Sequence, residues 1–217
     1  RQNCPPVLMV TDEVTRFDPV STLFQSGLPI KVLAINSHSA HLPEALVQQR
    51  NDANTDTALS LAHHEPGLTA LLHRHSFVLQ SSIGDPAHLF HGAMQSIRFA
   101  GPALLHVYAP DLREQAASAE AMFEQAELAV ASRTFPIFAY QPDRDSHWGK
   151  CLQLSDNPQP SQEWVAQPIR ITQPSGFVET VPHQLTPADW AARQPDFAGA
   201  FKLLKPKAWH EAMIALP

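Results

Sequence analysis

Polar side chains that directly follow apolar runs are the residues of this chain best placed to do chemistry. Residues 30–35 form a β-prone apolar run that ends at Asn36 and Ser37, and the shorter run at residues 7–10 is soon followed by Asp12. Open α/β sheets bind ligands beyond the carboxyl ends of their strands, so these positions predict a ligand-binding edge. Asp12 also fits the N-cap of the next helical segment, and both interpretations stay open.

Residues 77–111 predict the unit around which the other elements are arranged. A β-prone run at 77–79 leads through a Ser- and Gly-containing turn to Asp85, which is placed to cap a helix that begins at Pro86. Apolar residues then recur at three-and-four spacing until Gly101 and Pro102 end the helix. Residues 103–108 form a nearly uninterrupted apolar run. This order predicts a β-α-β unit with two parallel strands in the sheet interior.

Weaker patterns place the other elements of the first two thirds of the chain. They predict a helix within residues 13–26, a surface excursion or lid at 42–56, and short helices at 57–64 and 68–73, the first ended by Pro66 and Gly67. Residues 115–132 are rich in Ala, Glu and Gln and predict a longer helix. A strand at 135–140 is predicted at the sheet edge at best, because it contains Pro136.

The last third of the chain is rich in proline. Six prolines interrupt residues 141–182 and leave short extended pieces at 151–154 and 169–172. Thr186 and Pro187 open a predicted helix to about residue 194, and another is predicted at 207–216. We therefore expect an α/β body over residues 1–140, with a mostly parallel sheet flanked by helices. Residues 141–217 are expected to form a Pro-rich extension whose terminal helices pack on this body.

Composition limits the classes of function. The 217 residues are 44 % hydrophobic and 17 % charged, with a formal net charge of −6. An acidic chain of this kind is a poor partner for nucleic acid. Two cysteines are too few for a disulfide framework, and no apolar segment approaches the roughly 20 residues needed to cross a bilayer. We expect a soluble, cytoplasmic protein with no membrane partner.

Common catalytic motifs are missing, although two kinds of site stay open. The eight glycines form no G-x-G-x-x-G, P-loop or G-x-S-x-G pattern. Close histidine pairs at 38/41, 63/64, 73/75 and 88/91 make a metal-binding module an alternative, although none has the spacing of the helical zinc motif. A Ser-His-Asp triad also stays open, although the sequence singles out no residues for it.

Four segments carry a resemblance to a known family, and they occur in the family's order. They are VLMV-TDE, SGLPIKVLAINS, QSSIGDPAHL with FAGPALLHVYAPD, and ELAVASRTFPIFAYQPD. Over about residues 7–155 the chain resembles the thiamine-diphosphate-binding domain of pyruvate:ferredoxin/flavodoxin oxidoreductases and related 2-oxoacid oxidoreductases. In that family these segments correspond to a Gly-Asp-Gly strand end, an Asp-Thr-Glu-Val-Tyr-Ser-Asn strand end, a Gly-Pro-Ser/Ala-Leu strand with Tyr-Ser-Pro-Cys, and a Pro-Leu-x-x-Tyr-x-Pro segment.

The resemblance implies a cofactor site at the first two strand ends. Diphosphate is held there through an oxygen-ligated Mg²⁺ ion, and the family's metal ligands fall on Asp12 and Ser37. Thr11 and Asn36 flank these ligands and are implied to contact the cofactor. An active complex would oxidatively decarboxylate a 2-oxoacid and pass electrons to a low-potential acceptor. The implied partners are the remaining domains or subunits of a larger oxidoreductase, and we expect an oligomer.

Departures from the family pattern predict a degenerate site. Thr11 and Glu13 replace the glycines beside the metal-binding Asp, adding a β-carbon and a negative charge next to the diphosphate. Leu42 falls on the family's metal-binding Asn, and Asp111 on its iron–sulfur cysteine, so this chain is expected to ligate no iron–sulfur cluster. The half of the domain that precedes Gly-Asp-Gly is also missing. The alternative is therefore a non-catalytic structural or subunit-interaction domain derived from the same fold.

Overall fold

A computed structural model describes residues 7–11, 18–37, 66–110, 118–142, 147–158, 166–172, 176–194 and 201. Within these ranges the strands are β1 (Val7–Thr11), β2 (Ile30–Asn36), β3 (Phe77–Ser82), β4 (Ala103–Tyr108), β5 (Phe138–Tyr140), β6 (Leu152–Gln153), β7 (Ala166–Thr172) and β8 (Val178–Gln184). The helices are α1 (Asp18–Gln25), α2 (Pro66–Leu71), α3 (Pro86–Arg98), α4 (Ala119–Ala131), α5 (Trp148–Cys151) and α6 (Pro187–Ala192). None of these helices is long and apolar enough to cross a membrane.

The main sheet has six strands in the order β1-β2-β4-β3-β5-β6. The first four positions in this order are joined by parallel pairing, whereas β5 runs antiparallel to both β3 and β6. Strands β7 and β8 form a separate antiparallel pair. The protein therefore has an α/β fold with a mostly parallel mixed sheet, as the sequence predicts.

Helices cover both faces of the main sheet. On one face, Phe24 of α1 and Ala70 of α2 pack against Val32 and Val78. On the other face, Leu89 of α3 packs in a cluster with alternate residues of β3 and β4, namely Phe77, Leu79, Ala103 and Leu105. Successive side chains of a strand point to opposite faces, so both central strands are buried on both sides.

The predicted β-α-β unit is confirmed closely. Asp85 caps α3 by accepting a hydrogen bond from His88 N at 2.9 Å, and Pro86 is the first helical residue. Every residue of β3 and β4 is buried, and the two strands are parallel. Gly92 lies where α3 crosses β3, and a β-carbon at this position would overlap the Leu79 side chain. The close approach of helix and sheet therefore depends on this glycine.

A buried lysine joins the amino ends of two elements. Lys31 of β2 is 5 % exposed, and its Nζ donates hydrogen bonds to the carbonyl oxygens of Phe99 at 2.6 Å and Gly101 at 2.8 Å. Burial lowers the pKa of Lys31. The lysine thus fixes the turn between α3 and β4 to the start of β2.

One prediction based on proline is wrong, and one helix begins two residues earlier than predicted. Helix α2 begins at Pro66 rather than at the predicted residue 68, because the first turn of a helix needs no N–H from Pro66. The helix predicted at 57–64, which Pro66 and Gly67 are predicted to end, lies outside the described residues. The strand near Pro136 is not at an edge, since β5 begins at Phe138 and pairs on both sides. Pro136 lies before the strand, where its carbonyl oxygen accepts a hydrogen bond from Gln80 Nε2 at 2.8 Å.

The sequence predicts only part of the β7–β8 hairpin. Its register places Pro168 opposite Pro182, so the two residues that lack an N–H share one position of the ladder. Such a pair is tolerated where the backbone nitrogens point away from the partner strand. Helix α6 follows this hairpin and begins as predicted. Beyond residue 140, β6 joins the main sheet and α6 packs against α4. The predicted boundary at residue 140 between an α/β body and a Pro-rich extension stays a prediction.

Several predicted elements lie outside the described residues. They are the lid at 42–56, the helix at 57–64, the helix at 207–216, and the positions of Asp12, Glu13, Leu42 and Asp111.

Candidate functional site

The carboxyl ends of four parallel strands meet at one edge of the main sheet. Thr11 at the end of β1 lies opposite Ala34, and Asn36 at the end of β2 lies opposite Tyr108, which in turn lies opposite Ser82. The strands are parallel neighbours, so this edge collects the last residues of β1, β2, β4 and β3. We refer to the positions of Thr11, Asn36 and Ser37 as the β1–β2 edge.

The β1–β2 edge presents oxygen atoms and carries no charge on its described residues. Thr11 and Ser37 are half-buried, and Asn36 is 4 % exposed. The Asn36 carbonyl oxygen accepts a hydrogen bond from Ala109 N at 2.9 Å, which extends the pairing of β2 and β4 past the strand ends. Asn36 is thereby held in place at the end of the sheet.

Thr11 and Asn36 share one face of the sheet. Met9 lies opposite Val32 and Thr11 opposite Ala34, and both β2 residues belong to the cluster under α1 and α2. Asn36 follows Ala34 by two residues and therefore points to the same face. The fold brings together three of the four site residues that the resemblance implies. The fourth, Asp12, follows Thr11 directly in the chain and lies outside the described residues.

The donor set suits a hard cation. Hydroxyl and amide oxygens are ligands for Mg²⁺, whereas they are poor ligands for zinc or an iron–sulfur cluster. Across the described residues there is no group of three or more His, Cys, Asp or Glu side chains arranged to hold a metal. A Mg²⁺ ion at the β1–β2 edge would therefore depend on Asp12 and on ligands from the cofactor itself.

An aromatic group adjoins the β1–β2 edge. Tyr108, opposite Asn36, is 2 % exposed and stacks on Phe135 with a centroid distance of 5.3 Å and an interplanar angle of 28°. Trp190 of α6 meets Tyr108 edge-on, with centroids 6.4 Å apart. Sequence reasoning missed Trp190, because the capping pattern at Thr186 predicts a helix without showing where that helix packs.

A network on Asp189 holds α6 in its conformation. Asp189 Oδ1 lies 2.6 Å from His183 Nε2, and Asp189 Oδ2 accepts hydrogen bonds from Thr186 N at 2.7 Å and Thr186 Oγ1 at 2.9 Å. Asp189 is 3 % exposed and His183 is 5 % exposed. Gln125 of α4 donates a hydrogen bond from Nε2 to the Trp190 carbonyl oxygen at 3.3 Å, which joins α6 to the body.

A serine, a histidine and an aspartate adjoin one another at the end of β3. Ser81 Oγ lies 2.9 Å from His88 Nδ1, and His88 Nε2 lies 3.9 Å from Asp156 Oδ2. Ser81 is fully buried, so no substrate can reach its hydroxyl, and the distance from His88 to Asp156 exceeds that of a hydrogen bond. This group does not have the geometry of a nucleophilic triad.

The electrostatics of His88 also point to a structural role. Burial lowers the pKa of His88, and the carboxylates of Asp156 and Asp85 oppose that effect. A neutral ring fits its short contact with the Ser81 hydroxyl. His88 therefore fixes the first turn of α3 to the end of β3.

A cavity of about 330 Å³ lies beside this group. Its lining residues include three acidic ones, Asp85, Glu127 and Asp156, together with Val130 and Pro158. Three carboxylates would repel a diphosphate, so an anionic cofactor is not expected in this cavity.

The histidine pairs that lie within the described residues do not converge on a metal site. His75 Nε2 lies 2.7 Å from the Phe24 carbonyl oxygen, and its ring meets that of His73 at a centroid distance of 6.3 Å. His88 contacts Ser81, while the neighbouring His91 is exposed. The pairs 38/41 and 63/64 lie outside the described residues.

Comparisons with protein-family models and with curated proteins give no match for this chain. The assignment of a function therefore rests on the residues and geometry of the chain itself.

Proposed function

We propose that this chain forms part of the thiamine-diphosphate domain of a 2-oxoacid:ferredoxin oxidoreductase-like protein, with the rest of the complex supplied by other domains or subunits. The observation that carries the proposal is the parallel pairing of β1 with β2. In this pairing Thr11 lies opposite Ala34, two residues before Asn36, so the last residues of both strands lie at the same edge of the sheet, which supports the proposal. A site shared by two strand ends needs those ends to be close together, and parallel neighbours meet this condition.

Each residue of the β1–β2 edge, and Asp12 next to it in the sequence, has a proposed role. The Asp12 carboxylate and the Ser37 hydroxyl would hold Mg²⁺, and Thr11 and Asn36 would contact the diphosphate. Bound thiamine diphosphate would supply an electron sink for decarboxylation of a 2-oxoacid. The Asn36 carbonyl oxygen accepts a hydrogen bond from Ala109 N, so the main chain at Asn36 is already fixed before a ligand binds.

The same edge predicts weak binding. A side chain at Thr11 hinders the close backbone approach that glycine would permit, and Glu13 adds a negative charge near the diphosphate. Binding should therefore depend strongly on the metal ion, whose positive charge offsets this repulsion.

Substitution of the two proposed ligands tests this function. Thiamine diphosphate with Mg²⁺ is titrated into the full chain, and the heat of binding is followed for wild type, Asp12→Ala and Ser37→Ala. We expect saturable binding that Asp12→Ala weakens by roughly tenfold or more and Ser37→Ala by less, since an ionised ligand contributes more than a hydroxyl. Asp156→Asn, which removes a half-exposed carboxylate near His88, is the matched control. Unchanged affinity in Asp12→Ala would show that the metal ligand is misplaced.

A second function is favoured by apolar surface. Val7, Leu8 and Val10 of β1 are 52 %, 64 % and 57 % exposed, and Phe177 beside the β7–β8 hairpin is 64 % exposed. Exposed apolar strands are sites of association with other chains. We infer that a non-catalytic subunit-interaction domain would keep these surfaces and bind no cofactor. Absence of saturable heat in the titration, together with association of the chain, is the result that this second function predicts.

A further inference from the structure

The last described helix, α6, packs on Tyr108, and the strand of Tyr108 is the neighbour of β2. Trp190 is 1 % exposed and contacts Tyr108, and Tyr108 lies opposite Asn36 in the register of β4 with β2. By strand alternation, Tyr108 points to the same face as Asn36. Removing α6 would therefore uncover Tyr108 next to the residues proposed to bind the cofactor.

Little local structure holds α6 together. It has six residues, and isolated helices shorter than about 12 residues are marginal in water. Its conformation depends on the two carboxylate oxygens of Asp189, which bind His183 on one side and Thr186 on the other. Replacement of Asp189 by Asn would leave only one acceptor oxygen for His183 and Thr186, which bind different oxygens of the carboxylate. Folding of α6 and its attachment to the body should therefore be lost together.

The segment that leads into α6 has few attachments to the body. Within the described part of the chain, β7 and β8 pair only with each other, and residues 176–180 are all exposed. A two-stranded hairpin of this kind is only marginally stable by itself. Detachment of the hairpin and α6 would leave the strand pairing of the main sheet intact, although it would uncover the buried side chains of Leu185, Trp190 and Ala191.

We propose that α6 is a detachable strap that closes the side of the β1–β2 edge and controls access to it. The strap is fastened by the Asp189–His183 pair and by the insertion of Trp190 against Tyr108. The proposal that the strap controls access of the cofactor rests on the proposed function. The attachment of α6 to the body can be measured without any ligand. Opening the strap would expose the end of β4 at Tyr108 and Ala109.

Hydrogen–deuterium exchange of the full chain tests the strap. The variants are Asp189→Asn and His183→Gln. Ser118→Ala is the matched control, because it removes an exposed side-chain hydrogen bond at the start of a different helix, α4, where Ser118 Oγ accepts from Ala121 N at 3.3 Å. We expect residues 187–194 to exchange about tenfold faster in both variants, as loss of charge-assisted hydrogen bonds implies. Residues 105–110 should speed up with them, because Ala109 N donates to Asn36 O beside Tyr108. Residues 77–82 should be unchanged, and Ser118→Ala should affect neither region.

Two results would overturn the strap. Faster exchange at 187–194 with no change at 105–110 would show that α6 does not cover this edge. Equal acceleration of 77–82 would show that α6 is an inseparable part of the core. Titration of the same samples with thiamine diphosphate and Mg²⁺ separates the two proposals. Coupled exchange of 187–194 and 105–110 without any saturable heat supports the strap and contradicts the cofactor function.

Discussion

Strands β4 and β1 have similar sequences but opposite surroundings. Both are apolar runs in the parallel part of one sheet, yet all six residues of β4 are buried, whereas three of the five residues of β1 are exposed. Strand β4 is central and packs against hydrophobic clusters on both faces. Strand β1 is an edge strand of the sheet among the described residues. An apolar run therefore indicates a strand that can be buried on both faces. Whether it is buried depends on the elements that pack against it.

Matched leucine truncations should separate these two strands most clearly. Leu104→Ala in β4 removes a fully buried side chain and should lower the free energy of unfolding by about 3 kcal/mol. Leu8→Ala in β1 removes a side chain that is 64 % exposed and should cost less than about 0.5 kcal/mol. Urea unfolding of both variants measures the difference. Similar losses would mean that β1 is covered in solution, and the contrast between the strands would then fail.

Charge on the exposed strand should affect association more than stability. Leu8→Lys places a charge on an edge strand that carries none, and charged edge strands resist pairing with other chains. We expect wild type to associate with rising concentration in sedimentation velocity and Leu8→Lys to remain dispersed. A Lys at Phe90, which is exposed to a similar extent on α3, is the control for added surface charge. Equal association of all three proteins would remove β1 as the interaction surface.

The smallest effect concerns acid stability at the end of β3. Burial lowers the pKa of His88 in the folded state, so below about pH 6.5 the unfolded chain binds a proton that the folded chain resists. The free energy of unfolding should therefore fall as the pH drops below that value, in part because of this histidine. His88→Gln should make the free energy of unfolding depend less on pH over this range. Urea midpoints at pH 7.5 and pH 5.5 give the comparison. If wild type and His88→Gln lose the same stability between pH 7.5 and pH 5.5, the folded state does not lower the pKa of His88.

Local signals account for the part of the fold that could be predicted. Asp85, Pro86 and the spacing of apolar residues fix α3, and the uninterrupted run before Ala109 fixes β4. Pro136 misled the prediction of an edge strand, and Pro66 shifted the predicted start of α2 by two residues, because proline is tolerated just before or at the start of an element. The pairing of β7 with β8 depends on two prolines facing each other, which no local pattern reveals.

The candidate site was predictable only at its strand ends. Asn36 and Ser37 follow a clear strand, so their place at the carboxyl edge follows from the fold class. Tyr108, Phe135 and Trp190 come from three distant parts of the chain, and their packing is set by tertiary contacts. The same limit applies to Ser81 and His88, whose contact depends on the angle at which α3 leaves β3.

The most direct test of the proposed cofactor site is the metal dependence of binding to wild-type protein. Thiamine diphosphate is titrated into the full chain with excess Mg²⁺ and again with the metal chelated. Because the described edge offers neutral oxygens and the neighbouring Asp12 and Glu13 are acidic, we predict saturable binding with Mg²⁺ and none without it. Equal binding under both conditions, or no saturable binding under either, would contradict a magnesium–diphosphate site at the β1–β2 edge.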